Sequence, residues 1–261
     1  MTRGAAMNIE LNHPLVLFAL SALVLWLSAW VGFSVLRRAR QVEEGLMEDF
    51  GVILAATLTL LGLIIGFSFS MAIGRYDQRK NYEEEEANGI GTEIVRADLL
   101  PPADAARVRS LLVTYLDQRI AFYETRDPQV LGQVDAKTAE LQKQLWFAVA
   151  TAANAKPDPV IALAVSGMND VLNSQGYTQA AWWNRIPHAA WGLMAAIAIC
   201  CNVLVGYGAR TSKAHPVLLL VLPLVLAIAF MLIADIDSPR GGLIHVVPQN
   251  LLSLAQSLRP R

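Results

Sequence analysis

Charge is scarce in this chain. Asp, Glu, Lys and Arg make up 16% of its 261 residues and nearly cancel, leaving a net charge of −1. A nucleic-acid-binding protein carries a basic footprint, so nucleic acid is not an expected partner. Cysteine is almost missing: Cys200 and Cys201 sit side by side in an apolar run, form no C-x-x-C motif and frame no disulfide network. They read as small hydrophobes. His13, His188, His215 and His245 are scattered near the ends of apolar runs, and none has a second histidine at metal-ligand spacing. There is no glycine-rich phosphate loop and no nucleophile elbow, because no alternation of strand and helix exists to hold either. The expectation is a protein that is not an enzyme, with no catalytic residue and no cofactor. Internal repeats and low-complexity segments are also absent.

What the chain has is apolar length. Hydrophobic residues make up 54% of it, and with so little charge this points to an integral membrane protein. The run 15–36 is followed by Arg37, Arg38 and Arg40. It exceeds the roughly 7–15 residues of a signal-peptide core and its charge follows instead of preceding, so it reads as a retained first span. Trp26 and Trp30 suit an interface or packing against a neighbour. The next run, 51–74, is long enough for a bilayer core, which takes roughly 20 helical residues. A short acidic connector at 41–49 makes these two helices an antiparallel hairpin. Pro187 opens a third span and Pro216 a fourth, the latter interrupted by Pro223, which is expected to kink it.

Between the second and third spans lies a long polar insert. No proline follows the second span until Pro101, so that helix is expected to leave the membrane and run on to Leu100. Along it, Arg79 with Glu83 and Lys80 with Glu84 are spaced for helix-supporting pairs. The acidic run 83–86 reads mostly as a solvated face. Gly89 and Gly91 mark a bend or a close helix contact. Three amphipathic helices follow. The first has Val108, Leu111, Leu112, Tyr115, Leu116, Ile120 and Tyr123 at helical spacing and Asp104 as a cap; the second has Leu141, Leu145, Ala148, Val149 and Ala152 on one side; the third covers 160–173. Trp182 and Trp183 beside Arg185 suggest a return to headgroup level. The tail reads as a strand-like segment turning into a surface helix. The fold class is therefore all-α: a polytopic membrane protein with four transmembrane helices and a helical insert between the second and third. Its parts are 1–50, the first span and connector; 51–74, the second span; 75–186, the extramembrane insert; 187–235, the third and fourth spans; and 236–261, the tail.

The second span carries two stripes at four-residue steps, and residues four apart are neighbours on one helix face. Gly62, Gly66, Ser70 and Gly74 form a small-residue stripe of the kind that lets another membrane helix approach closely. Beside it run Thr59, Leu63, Phe67, Met71 and Arg75. This second stripe is either apolar filler facing lipid or a bundle, or the lining of a pore.

The segments LGLIIGFSFSMAIGRYDQRK, EEANGIGTEIVRADLLP, VSGMNDVL, NRIPHAAW and ADIDSPRGGLI, with the stretch 115–123, resemble the bestrophin-like membrane proteins of bacteria, in the branch defined by a domain of unknown function. The resemblance covers most of the chain after Asp49. It implies a distant relation to bestrophins, pentameric anion channels whose second helix forms a hydrophobic neck from three bulky apolar residues at four-residue spacing. Those positions fall on Thr59, Leu63 and Phe67, and Thr59 departs from the bulky pattern. A four-residue stripe drifts by about 40° per step, so Thr59 and Arg75 cannot both face one straight axis, and Leu63 with Phe67 carry the gate. Arg75 is expected at the wider mouth, where it attracts anions.

By the same resemblance the partners are further copies of this chain in a homo-oligomer, expected to be a pentamer, together with the lipid bilayer and inorganic ions. Lys and Arg flanking the spans divide almost evenly between the two sides. Arg37, Arg38, Arg40, Arg210 and Lys213 favour cytoplasmic connectors; Arg3, Arg75, Arg79, Lys80, Arg185 and Arg240 favour the opposite. The resemblance tips the balance to a multi-pass protein of the bacterial inner membrane with insert and termini in the cytoplasm. Asp235 and Asp237, just after the fourth span, are calcium candidates, since carboxylates suit that ion and animal bestrophins bind it there; the alternative is a helix end in which Asp pairs with Arg240. No other metal site is expected. The expected function is an oligomeric ion channel of bestrophin-like type, passing anions; the alternative is a membrane-anchored helical sensor or scaffold without transport.

Overall fold

The structure, a computed structural model, describes residues 14–36, 46–209 and 218–259. Arg3, Arg37, Arg38, Arg40, Arg210, Lys213, His13, His215, Pro216 and most of the connector at 41–49 lie outside them. The described residues are helical, with no strand among them. They form α1 (Pro14–Val31), extended by a π-helical turn (Gly32–Leu36), α2 (Leu46–Arg96), a 3-10 turn (Ala97–Leu99), α3 (Pro102–Glu124), α4 (Pro128–Ala155), α5 (Ile161–Trp183), α6 (His188–Gly208), α7 (Leu218–Asp237) and α8 (Gln249–Leu258). Four of the helices are long and apolar enough to cross a membrane. The chain divides into two compact units. The first holds the residues up to Arg75 and Arg185–His245; the second holds Tyr76–Asn184 and the residues from Val246 on.

The first unit contains α1, the apolar part of α2, α6 and α7. Its core joins all four: Leu25, Leu61, Met194, Ala198, Cys201, Leu226 and Phe230 are buried together. Trp191 meets Phe230 edge to face, with ring centroids 6.3 Å apart, a favourable geometry for aromatic pairs. Helices α1 and α6 cross through glycine. A Cβ added at Gly206 would collide with the Ala29 carbonyl, and one added at Gly32 with the Val203 carbonyl. Close backbone approach of this kind supplies the dispersion contact that drives helix association in lipid.

The second unit contains the rest of α2, the 3-10 turn, α3, α4, α5 and α8 around its own core. The apolar positions read from periodicity are there: Val108, Leu112, Tyr115 and Leu116 from α3 pack with Leu141, Leu145, Ala148, Val149 and Ala152 from α4. Several details differ from the sequence reading. Asp104 lies in the first turn of α3 but the N-cap is Pro101, whereas Asp127 does cap α4, accepting from the Gln129 N–H at 2.8 Å. Helix α5 continues past Asn173 to Trp183, because Ser174, Thr178, Ala181 and Trp182 are all buried and that burial outweighs the roughly 1 kcal/mol cost of Gly176. Trp182 belongs to this core, with centroids 4.9 Å from Phe122 and 5.4 Å from Tyr123; only Trp183 is exposed. The tail has no strand, and α8 follows an irregular stretch. Gly89 and Gly91 lie within the continuous helix α2. They are close contacts, Gly89 with Val171 of α5 and Gly91 with Leu254 of α8.

The acidic run 83–86 is split by the helix. Glu84 and Glu85 face solvent, while Glu83 and Glu86 are buried with Arg79. Glu83 reaches the start of α8, where its carboxylate accepts from the N–H groups of Asn250 and Leu251 at 3.0 and 2.9 Å and from the Asn250 amide at 2.7 Å. It thereby satisfies donors that a helix N-terminus leaves unpaired. Glu86 accepts from Arg119 Nε at 2.5 Å, Tyr123 Oη at 3.1 Å and Thr178 Oγ1 at 3.3 Å, tying α2 to α3 and α5. Burial opposes the Arg119 charge, but Glu86 beside it holds the guanidinium above its ordinary pKa. Burial, reinforced by the Glu86 charge, raises the Tyr123 hydroxyl.

Removing one member of a buried ion pair costs about 3–5 kcal/mol, because the other is left uncompensated. Glu86→Ala is therefore expected to destabilise the second unit by about that amount, and Glu86→Met with Arg119→Met to recover most of it. Denaturation of the full chain in detergent, followed through Trp182 fluorescence, checks both.

Candidate pore-lining face of α2

Helix α2 has a packed side and an open side within the first unit. Leu61, Ser68 and Ala72 are buried, with Leu58, Ile64 and Ile65 packed beside Leu61 against the four-helix core. Both stripes read from the sequence lie on the open side. Leu63 is 53% exposed and Phe67 62%, and Thr59, Met71, Gly62, Gly66, Ser70 and Gly74 are exposed as well. Three consecutive α-helical turns thus present large apolar side chains to nothing within their own unit.

Thr59 is less of a departure than its residue type suggests. Its hydroxyl donates to the Ala55 carbonyl of the same helix at 2.8 Å, which satisfies the one polar group of the side chain. The small stripe meets no neighbour in this chain: a Cβ added at Gly62, Gly66 or Gly74 finds no atom within 4 Å. Close packing inside the unit is done by Gly32 and Gly206 instead. Nothing in the sequence distinguishes those two from other glycines, since they are far apart in the chain and only the crossing of α1 over α6 brings them together.

Arg75 is turned off the stripe. It is half-buried and its guanidinium donates to Asp237 Oδ1 at 3.1 Å. Asp237 also accepts from the Ile186 N–H at 3.0 Å, so one carboxylate holds the end of the apolar part of α2, the entry to α6 and the end of α7. This follows from the drift of about 40° per four-residue step: by Arg75, four steps and about 160° on from Thr59, the stripe has swung toward the packed side. Asp235 is spent on the chain after α7, accepting from the Leu243 and Ile244 N–H groups at 2.7 and 2.9 Å. Among the described residues no group of three or more His, Cys, Asp and Glu is placed to hold a metal ion. The two calcium candidates bind N–H donors, which compete for the lone pairs a cation would use. His188 lies exposed at the start of α6, and His245 contacts the Leu243 carbonyl at 3.2 Å.

These features define a polytopic helical membrane protein with a long second helix whose membrane portion keeps one apolar face unsatisfied. The family model of the bestrophin-like domain matches residues 19–251, and the chain belongs to that family. Its fold is similar to the crystal structure of a bacterial bestrophin homolog from Klebsiella pneumoniae, with 14% identity, a TM-score of 0.63, and coverage of 94% of this chain and 99% of that one. A point variant of the same homolog aligns with 13% identity and a TM-score of 0.64 over 92% of this chain and 98% of the other. A search of the curated proteins finds no match. The four spans with a helical insert between the second and third are thereby shown as the fold of this chain.

The two sets of glycines separate by experiment. Gly206→Val drives a side chain into the Ala29 backbone and is expected to cost at least about 1–3 kcal/mol, the usual penalty of overpacking. Gly62→Val is expected to leave folding of the single chain unchanged, so any effect it has on the size of the detergent-solubilised particle reports a contact with another copy. Unfolding curves and light scattering of the two variants check this.

Proposed function

We propose that this protein is an oligomeric ion channel of bestrophin type. Open faces of α2 from several copies, five by the family resemblance, surround the conduction path, and Leu63 and Phe67 form its neck. The observation that carries the reading is the exposure of Leu63 and Phe67 on a span whose opposite side buries Leu61, Ser68 and Ala72. A ring of such side chains makes a dry constriction that passes or blocks ions by wetting and dewetting. Thr59 and Met71 extend the lining on either side, and Gly62, Gly66, Ser70 and Gly74 lie where a neighbouring copy can approach closely. Arg75 serves this channel as a tie to Asp237 more than as an anion lure. The protein sits in the bacterial inner membrane with its insert and termini in the cytoplasm, and anions are the proposed cargo.

A membrane-anchored sensor or scaffold is the competing reading. It draws support from the insert's independent core and from Trp146 and Phe147, exposed on α4.

Recording from purified protein in planar bilayers distinguishes the two. Leu63→Ala combined with Phe67→Ala is expected to raise conductance severalfold, and the reversal potential under a chloride gradient is expected to move toward that of chloride. Absence of current from both proteins, or a monomer in detergent, favours the scaffold. A shift toward the cation's potential overturns anion selectivity while leaving the channel standing.

A further inference from the structure

Within the second unit, α2 and α5 pack along a seam of successive contacts. Glu86 meets Thr178, Gly89 meets Val171, and Glu93 and Arg96 meet Gly167. The last contact is the tightest. A Cβ at position 167 would overlap both Glu93 Oε2 and Arg96 Nη1, so the Glu93 carboxyl fits only because α5 offers bare backbone there.

Unlike Glu83 and Glu86, Glu93 is buried without donors. Its residue exposure is 0%, and neither Oε1 nor Oε2 has a hydrogen-bond partner among the described residues. The charges acting on it are Arg96, from its own helix, and Asp170, from α5. Helix α8, on the other side of α2, contributes no titratable residue between Gln249 and Leu258. On α3, Arg109 is paired with Asp98 of the 3-10 turn. A carboxylate in such a place pays for lost hydration with no compensating bond, whereas a carboxylic acid is tolerated.

We propose that Glu93 is a proton-operated latch on the α2–α5 seam: neutral, it lets the two helices close at Gly167; ionised, it forces that end of the seam open. Burial pushes its pKa from 4.5 up to about 8, with Arg96 opposing the rise and Asp170 adding to it. The closed seam therefore holds a proton that the opened seam gives up at any pH between those two values. Stability of the closure is full below about pH 4.5, falls as pH rises, and reaches its lower plateau above about pH 8. This goes beyond the channel reading and holds whether or not the chain conducts.

Hydrogen exchange of the full chain in detergent, resolved to peptides covering 90–97 and 161–171, tests it. After correction for the intrinsic exchange rate, the opening constant is expected to rise about tenfold per pH unit between pH 5 and 8, the slope of a single released proton, and then to flatten. Glu93→Gln is expected to abolish the slope. Arg96→Gln is expected to move the break to higher pH and Asp170→Asn to lower pH, so the proposal stays testable should Glu93→Gln fold poorly. A flat profile in the unaltered chain, a slope that survives Glu93→Gln, or breaks that do not move in the two charge variants would overturn it.

Discussion

The helical insert is built around carboxylates that it cannot leave in water. Glu86 sits at full burial and is worth keeping only because three donors from two other helices converge on it. Each donor fixes a relation between helices: Arg119 and Tyr123 set the height of α3 against α2, and Thr178 sets that of α5. Arg119 in turn lies 4.4 Å above the Phe122 ring, and Phe122 and Tyr123 both pack on Trp182. A buried pair of this sort contributes little net stability over an apolar substitute. It does penalise any register of α2, α3 and α5 that separates the partners.

Three buried glutamates of α2, Glu83, Glu86 and Glu93, show how one residue type is put to three uses by its surroundings. Glu86 meets side-chain donors and a cation. Glu83 meets the N-terminal amides of α8 and holds the last helix to the second. Glu93 meets neither and lies against glycine backbone. Burial there pushes the Glu93 carboxyl up to about 8, where it can change protonation near neutral pH.

Much of the architecture was legible because it depends on patterns local in sequence: apolar runs of bilayer length, three-four spacing in α3 and α4, and proline breaks at positions 101, 128 and 187. The buried charges were also legible in principle. Glu83, Glu86 and Glu93 fall on the same three-four register as Ile90 and Ala97, so a helix that buries the two apolar residues must bury those acids too. Reading 83–86 as a solvated face weighed charge above register. By contrast, the Gly32–Gly206 crossing, the place of Trp182 and the partner of Asp237 depend on tertiary contacts between distant segments. Trp182 and Trp183 are neighbours of the same type, yet one is core and the other surface; only the helical continuation of α5 through Gly176 decides which.

The candidate neck depends on a geometric limit in the same helix. A pore lining needs residues that stay on one side of an axis, while a straight α-helix advances 100° per residue and rotates a four-residue stripe steadily around itself. The exposed window of such a stripe is therefore short. At its membrane end Thr59 is open with its hydroxyl turned back on Ala55. Leu63 and Phe67 are the most open large apolar side chains of the stripe, and by Arg75 the stripe has rotated far enough for its guanidinium to reach Asp237. The rotation that removes Arg75 from the lining also delivers it to the carboxylate that ties down α6 and α7. A narrow exposed apolar window and the Arg75–Asp237 tie thus arise from a single property, the mismatch between a period of four and a pitch of 3.6 residues per turn.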